Sequence, residues 1–251
     1  MTRVDLNCDL GEGAGDDAAI LPFVTSASVA CGLHAGGPSE IRATVDGACR
    51  AHVAVGAHPS FPDRAGFGRH EMDLSPEQIY DVVLYQIGAL EPFLRRAGMR
   101  LQHVKPHGAL YHAAARRPEV ADAVADATCD ARADLVLVGA PGSACEAAAR
   151  RRGLRFAGEL FADRGYADDG TLLPRSHPQA LVEGDDEAVA ARAVAMVKDG
   201  VVFTASGRAL PQPGHTLCLH GDDPRAAGRA RAIRAALEQA GVAVAPLGAW
   251  L

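Results

Sequence analysis

The chain is 251 residues long, 48% hydrophobic and 22% charged, with a mean hydropathy of +0.01. This composition excludes charge-driven disorder and supplies a sizeable core, built mostly from Ala, Val and Leu because aromatics are only 5%. The formal net charge of -6 gives no general field for a phosphodiester backbone, so nucleic acid is not an expected partner.

One domain over residues 1–251 is expected, since barrels of alternating strands and helices routinely reach this length. Met1 to Asp9 reads MTRVDLNCD, without the basic stretch and apolar run of a secretion signal, and no later apolar run approaches a bilayer span. A cytoplasmic protein with no membrane partner is therefore expected. The cysteines Cys8, Cys31, Cys49, Cys129, Cys145 and Cys218 contain no C-x-x-C pair, so neither disulfides nor a thiolate zinc site is expected. Cys8, Cys31 and Cys218 sit in apolar runs and read as small buried hydrophobes.

The first strand is expected at Val4 to Cys8, where alternation sends Asp5, Asn7 and Asp9 to one side and Leu6, Cys8 and Leu10 to the other. Ser28 to Cys31 follows as a strand, then a helix over Ser39 to Ala51 capped by Ser39, then a strand at Val53 to Gly56. Ser75-Pro76-Glu77 combines a cap, an N1 proline and an early acid, which predicts a helix over Ser75 to Ala97. Further strands are expected at Leu101 to Val104, Leu135 to Val138, Arg155 to Glu159, Val201 to Thr204 and Thr216 to Leu219. Among them, Arg116 to Ala127, Ser143 to Arg152, Asp185 to Lys198 and Pro224 to Ala240 carry apolar residues at helical spacing. Eight strands alternating with helices define an α/β fold, a (β/α) barrel. Gly56 to Asp73 and Ala162 to Gly184, polar and rich in Gly and Pro, are the expected loops over its mouth.

Ionisable residues fall where the strands end: DLNCDLGEG, ACGLHAGGP, VGAHPSFPDR, HVKPHGALYH, GELFADRGY and CLHGDDP. In parallel α/β folds that edge holds the active site. Any one histidine there is better read as a hydrogen-bonded core or loop residue. Asp9, Glu12, His34, His58, Lys105, His107, Glu159, Asp163 and His220 together are harder to explain by stability, because each unpaired buried charge costs on the order of several kcal/mol. Asp9 or Glu12 suits a general base or an oxygen ligand, against the alternative of a hydrogen-bonded turn before Gly11 and Gly13. His34 and His58 suit metal binding or proton transfer, and residue types alone do not choose. Lys105 suits neutralising phosphate or a developing oxyanion. Arg64, Arg164 and Arg175 suit clamping a carboxylate or phosphate. With no H-E-x-x-H or other close-spaced ligand signature, a directly bound metal is not expected, and a divalent cation is expected only with a nucleotide. The chain also lacks a G-x-x-x-x-G-K-[ST] loop, a G-x-G-x-x-G turn and a G-x-S-x-G elbow.

VDLNCDLGEG, ASVACGLHAGGP, VAVGAHPSFPDRAGFGR, HVKPHGALY, FADRGYADDGTLLPRS and CLHGDDP, in this order, resemble the LamB/YcsF family over nearly the whole chain. The resemblance implies a distorted or seven-stranded (β/α) barrel like that of sugar and polysaccharide deacetylases. It also implies a 5-oxoprolinase A subunit, acting with B and C partner subunits to couple ATP hydrolysis, with Mg2+ on the nucleotide, to opening of 5-oxoproline to glutamate. Phosphorylating the lactam oxygen would make its carbon a better target for water. In that scheme Asp9, Glu12, His58, Lys105 and His107 are the catalytic group, with Asp9 or Glu12 activating water and Lys105 and His107 stabilising the phosphorylated oxygen. Asn7, His34, Arg64, Glu159, Asp163, Arg164, Arg175, His220 and Asp222 are expected to bind substrate or nucleotide, one of the arginines holding the substrate carboxylate. The alternatives are a metal-dependent deacetylase or amidohydrolase acting on a sugar-like substrate, and a carrier protein that presents substrate to a catalytic partner. Two positions depart from the family pattern: the usual H-A-G-D ends in Gly37, and H-G-A-L-Y-N ends in His112.

Overall fold

A computed structural model describes residues 2–182, 184–221 and 225–251. β1 (Arg3–Leu10), β2 (Ser26–Ala30), β3 (Ala54–His58), β4 (Leu101–Val104), β5 (Val136–Gly139) and β6 (Arg155–Phe161) pair in succession, all parallel. β7 (Val201–Phe203) and β8 (Ala209–Pro211) form a separate antiparallel pair. β9 (Thr216–His220) then lies between β6 and β1 and closes a barrel of seven parallel strands. β10 (Ala243–Val244) adds a short parallel pairing at the start of β1.

The strand expected at Val201 to Thr204 is thus a strand but not a barrel stave. β2 and β5 are buried at every position, as parallel strands must be when helices cover one face and side chains fill the other. Only Val202 of β7 is fully buried, so one face of that strand stays wet and pairs outside the barrel.

Eight helices are described: α1 (Asp17–Ile20), α2 (Pro38–Ala51), α3 (Pro76–Arg96), α4 (Gly108–Arg116), α5 (Pro118–Ala131), α6 (Ala144–Arg152), α7 (Asp186–Asp199) and α8 (Ala226–Gln239). α3 begins as its sequence predicts, with the Ser75 and Gln78 side chains each accepting from the other's backbone N–H in a capping box. α2 starts one residue early, because Pro38 takes the first helical position and Gly37, not Ser39, is the N-cap. The departure from the family pattern at Gly37 therefore falls on a helix cap. An Asp there suits the exposed N–H groups of the first turn, and Gly in its place costs only about a few tenths of a kcal/mol. The helix expected over Arg116 to Ala127 is α5, which begins only at Pro118 because the proline holds Arg117 extended (φ -108, ψ 109), and a helix not expected, α4, ends just before it at Arg116. Among the described residues no helix is long and apolar enough to cross a membrane.

Along β1, Leu6, Cys8 and Leu10 join the apolar layer under the helices, while Asp5, Asn7 and Asp9 point into the barrel. The interior of this barrel is consequently polar. At its base Asp5 accepts from the hydroxyls of Thr25 (2.8 Å), Ser26 (2.6 Å) and Thr216 (2.6 Å). Burial outweighs those bonds and pushes the Asp5 carboxyl up to about 6. A carboxyl whose pKa rises on folding favours the folded state while protonated, and that advantage is lost as pH rises from about 4 through 6. The change is about 3 kcal/mol at 1.36 kcal/mol per pK unit. Asp5→Asn removes the titration, so melting curves are expected to show the variant gaining on the wild type between pH 4 and pH 7. A constant difference across that range would assign Asp5 an ordinary pKa.

Candidate active site

Lys105 follows β4 directly, and its backbone N–H is fixed by the Ala57 carbonyl of β3 at 2.9 Å. Its side chain, only 2% exposed, runs into the barrel. Nζ lies 2.7 Å from Glu159 Oε1, 2.8 Å from Asp9 Oδ1 and 3.1 Å from both Asn7 Oδ1 and Cys218 Sγ. Asn7 donates in turn to Glu159 Oε1 (3.0 Å) and Thr216 Oγ1 (2.7 Å). Burial alone would lower the Lys105 ammonium, yet the facing Asp9 and Glu159 carboxylates raise it well above the ordinary lysine value. Burial likewise pushes Asp9 up, and His58 and Lys105 outweigh it to hold that carboxyl well below its usual range. One cation thus ties together side chains from four strands or strand ends. Cys218 is buried, as its sequence predicts, but it packs on this cation rather than in a purely apolar layer.

Beside this knot, His58 at the end of β3 donates from Nδ1 to the Lys105 carbonyl (2.7 Å), which turns Nε2 toward Asp9 Oδ2 at 3.4 Å. His107 donates from Nε2 to the Phe67 carbonyl (2.9 Å), leaving Nδ1 to face His58 Nε2 at 2.9 Å. His34 stacks on His107 with ring centres 3.9 Å apart. Glu12 Oε1 lies 3.2 Å from His34 Nε2 and 3.4 Å from His107 Nδ1. Burial pushes His34 down to about 3 and His107 well below its ordinary value, so both rings are neutral near pH 7. The loop between β3 and α3 holds this arrangement through two left-handed residues, Phe67 (φ 56) and Gly68 (φ 67). A Cβ at Gly68 would sit 2.8 Å from His107 Cδ2 and 2.9 Å from His34 Cβ, so glycine is required on both backbone and packing grounds.

A cavity of about 260 Å³ opens above these residues. Asp9, His58, Lys105, His107 and His220 contribute its polar wall, Tyr111, Phe161, Leu172 and Pro174 its apolar wall, and Arg69, His112, Arg164 and Arg175 complete the lining. His220 donates from Nδ1 to Asp163 Oδ2 at 2.8 Å and stacks on Phe161. Burial works against its charge, but the Asp163 carboxylate prevails and raises His220 above the ordinary histidine value.

The structure therefore brings Asn7, Asp9, Glu12, His34, His58, Lys105, His107, Glu159, Asp163 and His220 together at the C-terminal ends of the strands. Arg175 reaches the same cavity from the loop after β6. Arg64 does not: its guanidinium binds the Gly32 (3.0 Å) and Gly36 (2.8 Å) carbonyls and braces the loop that carries His34. Arg164 borders the cavity, but its guanidinium is spent on the Leu173 (2.7 Å) and Ala180 (3.0 Å) carbonyls, where it pins the loop over the mouth. Asp222 lies outside the described residues. Sequence reasoning misses Arg69, Tyr111 and Phe161, although all three stand inside the quoted motifs. His112, the second departure from the family pattern, lines the cavity, and burial holds it down to about 4.

A closed parallel α/β barrel whose ionisable side chains converge at the C-terminal mouth has the architecture of an active-site barrel. Residues 4–251 match the family model described as the LamB/YcsF family, and the chain belongs to that family. It is 52% identical over 253 residues, 99% of this chain and 97% of the other, to a protein from Methylococcus capsulatus named as the A subunit of 5-oxoprolinase. Its structure superposes with a TM-score of 0.91 on the lactam utilization protein from Thermus thermophilus, at 49% identity over 97% of this chain and 99% of that one. The polysaccharide deacetylase Bc1974 from Bacillus cereus shares the fold alone, with a TM-score of 0.53 and 12% identity over 100% of this chain and 95% of that one.

Proposed function

We propose that the chain is the A subunit of an ATP-dependent 5-oxoprolinase, opening 5-oxo-L-proline to L-glutamate with release of ADP and phosphate, together with B and C partner subunits. The observation that carries this reading is identity near 50% over almost the full length with proteins named as 5-oxoprolinase A subunits. The cavity suits the substrate. At about 260 Å³ it falls below the range of about 300–1,000 Å³ that holds drug-sized ligands. A five-membered ring with one carboxylate fits that scale.

The lactam is a stabilised amide. Phosphoryl transfer to its carbonyl oxygen makes the carbon electrophilic, and water adds there. The carbon–nitrogen bond then breaks with a proton delivered to nitrogen, and a second water releases phosphate from the resulting acyl phosphate. Environments that push neighbouring titratable groups in opposite directions mark acid and base. His220, raised by Asp163, suits the donor to the leaving nitrogen. Asp9, held far below neutrality, is a weak base and serves better to orient His58 and Lys105. Arg175 takes the substrate carboxylate, because Arg64 and Arg164 are committed to backbone carbonyls.

With purified B and C subunits, the chain is expected to release glutamate and phosphate in equal amounts from 5-oxo-L-proline, and only when ATP is supplied. Glutamate formed without ATP would overturn the coupling. Turnover of an N-acetyl sugar by the chain alone would replace this reading with the deacetylase one.

A further inference from the structure

The Glu12, His34, His58 and His107 cluster brings together side chains of the types that bind metal ions. His58 Nδ1 and His107 Nε2 each face a backbone carbonyl, at 2.7 and 2.9 Å, and a carbonyl only accepts, so both nitrogens carry their ring's proton. The remaining nitrogens, His58 Nε2 and His107 Nδ1, then face each other at 2.9 Å, open to a proton or a metal ion between them. Glu12 Oε1, a third acceptor, closes on the same point at 3.4 Å from His107 Nδ1 and 3.2 Å from His34 Nε2. One ligand atom from each of the four residues lies within 4.8 Å of the other three.

We infer that Glu12, His58 and His107, with His34 stacked on His107, bind one divalent transition-metal ion at the wall of the cavity. Tetrahedral Zn2+ with bonds of about 2.0–2.1 Å sets its ligands about 3.3–3.4 Å apart, and the His58–His107 and Glu12–His107 separations are 2.9 and 3.4 Å within a cluster spanning 4.8 Å. The outer contacts of His58 and His107 are those of metal-binding histidines, whose second ring nitrogen donates to a carbonyl or carboxylate that fixes the tautomer. Imidazole-rich sites select Zn2+ and its neighbours over Mg2+, which prefers an all-oxygen shell, so this ion is distinct from any Mg2+ that accompanies a nucleotide. An entry path exists because His58 and His107 face the cavity. Sequence reasoning expects no resident metal because it seeks ligands at close spacing. These four come from separate strand ends, and only the barrel brings them together.

The inference goes beyond the 5-oxoprolinase reading, and its test measures binding rather than turnover, so either can fail alone. The full chain, stripped with a chelator, is titrated with Zn2+ alone by calorimetry and with Co2+ alone by visible absorption; Mg2+ alone is the comparison. One Zn2+ per chain is expected, with a Co2+ band that Zn2+ abolishes and no comparable heat from Mg2+. His58→Gln, His107→Gln and the near-isosteric Glu12→Gln are each expected to weaken Zn2+ binding at least about 10-fold, the lower end of what even outer-sphere changes produce. His70→Gln, at an exposed histidine, is expected to leave it unchanged, and circular dichroism confirms that each variant is folded. No Zn2+ bound by the wild type, binding unaltered in folded Glu12→Gln and His58→Gln, or Mg2+ bound as tightly as Zn2+ would overturn the assignment.

Discussion

Lys105→Met is expected to remove much of the chain's stability margin and to abolish turnover. Methionine fills most of the same volume but leaves Asp9 and Glu159 facing each other, buried, without the ammonium that lies 2.8 and 2.7 Å from them. Removing one partner of a buried ion pair costs about 3–5 kcal/mol, because the uncompensated charge remains. That is a large share of the about 5–15 kcal/mol by which domains are usually stable. Urea titration at pH 7.5 measures it. A loss below about 1 kcal/mol would mean that water or a rearranged side chain reaches the carboxylates. Adding Glu159→Gln to Lys105→Met removes one stranded charge and is expected to recover part of the stability but none of the activity, which separates the structural role of Lys105 from its chemical one.

Asp9→Asn is expected to do the reverse, with a folded chain and little turnover. Asparagine keeps the shape, and Lys105 retains Glu159, so the stability change at pH 7 stays small beside that of Lys105→Met. The amide no longer carries the charge that faces His58 Nε2 at 3.4 Å. Misplacing functional side chains by about 1 Å costs about 10²-fold in rate, and with His58 and Lys105 no longer oriented, kcat in the assembled enzyme is expected to fall by that order. The pH dependence follows from the depressed Asp9 pKa. A carboxylate lowered on folding contributes stability that is fully present above about pH 4, its unfolded value, and is lost as pH falls through the folded value. Wild type is therefore expected to lose its advantage over Asp9→Asn on acidification, and a difference that stays constant from pH 7 to pH 3 would contradict the depressed value.

Much of this site is legible before folding, for a local reason. A strand that ends in Asp, His or Lys and then turns through Gly or Pro must deliver that side chain to the strand's C-terminal edge, so Asp9, His58, Lys105 and His220 can be placed at one rim from the alternation of the segments alone. The six motif segments also carry the resemblance that points to the LamB/YcsF family, to which the chain belongs. Arg64 and Arg164 escape this logic because a guanidinium in a loop is equally suited to a ligand and to a backbone carbonyl, and residue type does not say which one the loop brings near. Arg69, Tyr111 and Phe161 escape it for the complementary reason. Their side chains enter the cavity by the path of the loops and of α4, which no spacing rule encodes.

The α/β alternation, the inward row of Asp5, Asn7 and Asp9, the capped start of α3 and the rim on which the chemistry sits follow from residue order, because each depends on the period of a strand or the first turn of a helix. Only the tertiary structure decided that seven strands close the barrel, that Val201–Phe203 stays outside it, and that Glu12, His34, His58 and His107 converge within 4.8 Å. Closure and convergence depend on pairings between segments far apart in the chain, and those are set by the simultaneous packing of the whole sheet rather than by any local pattern.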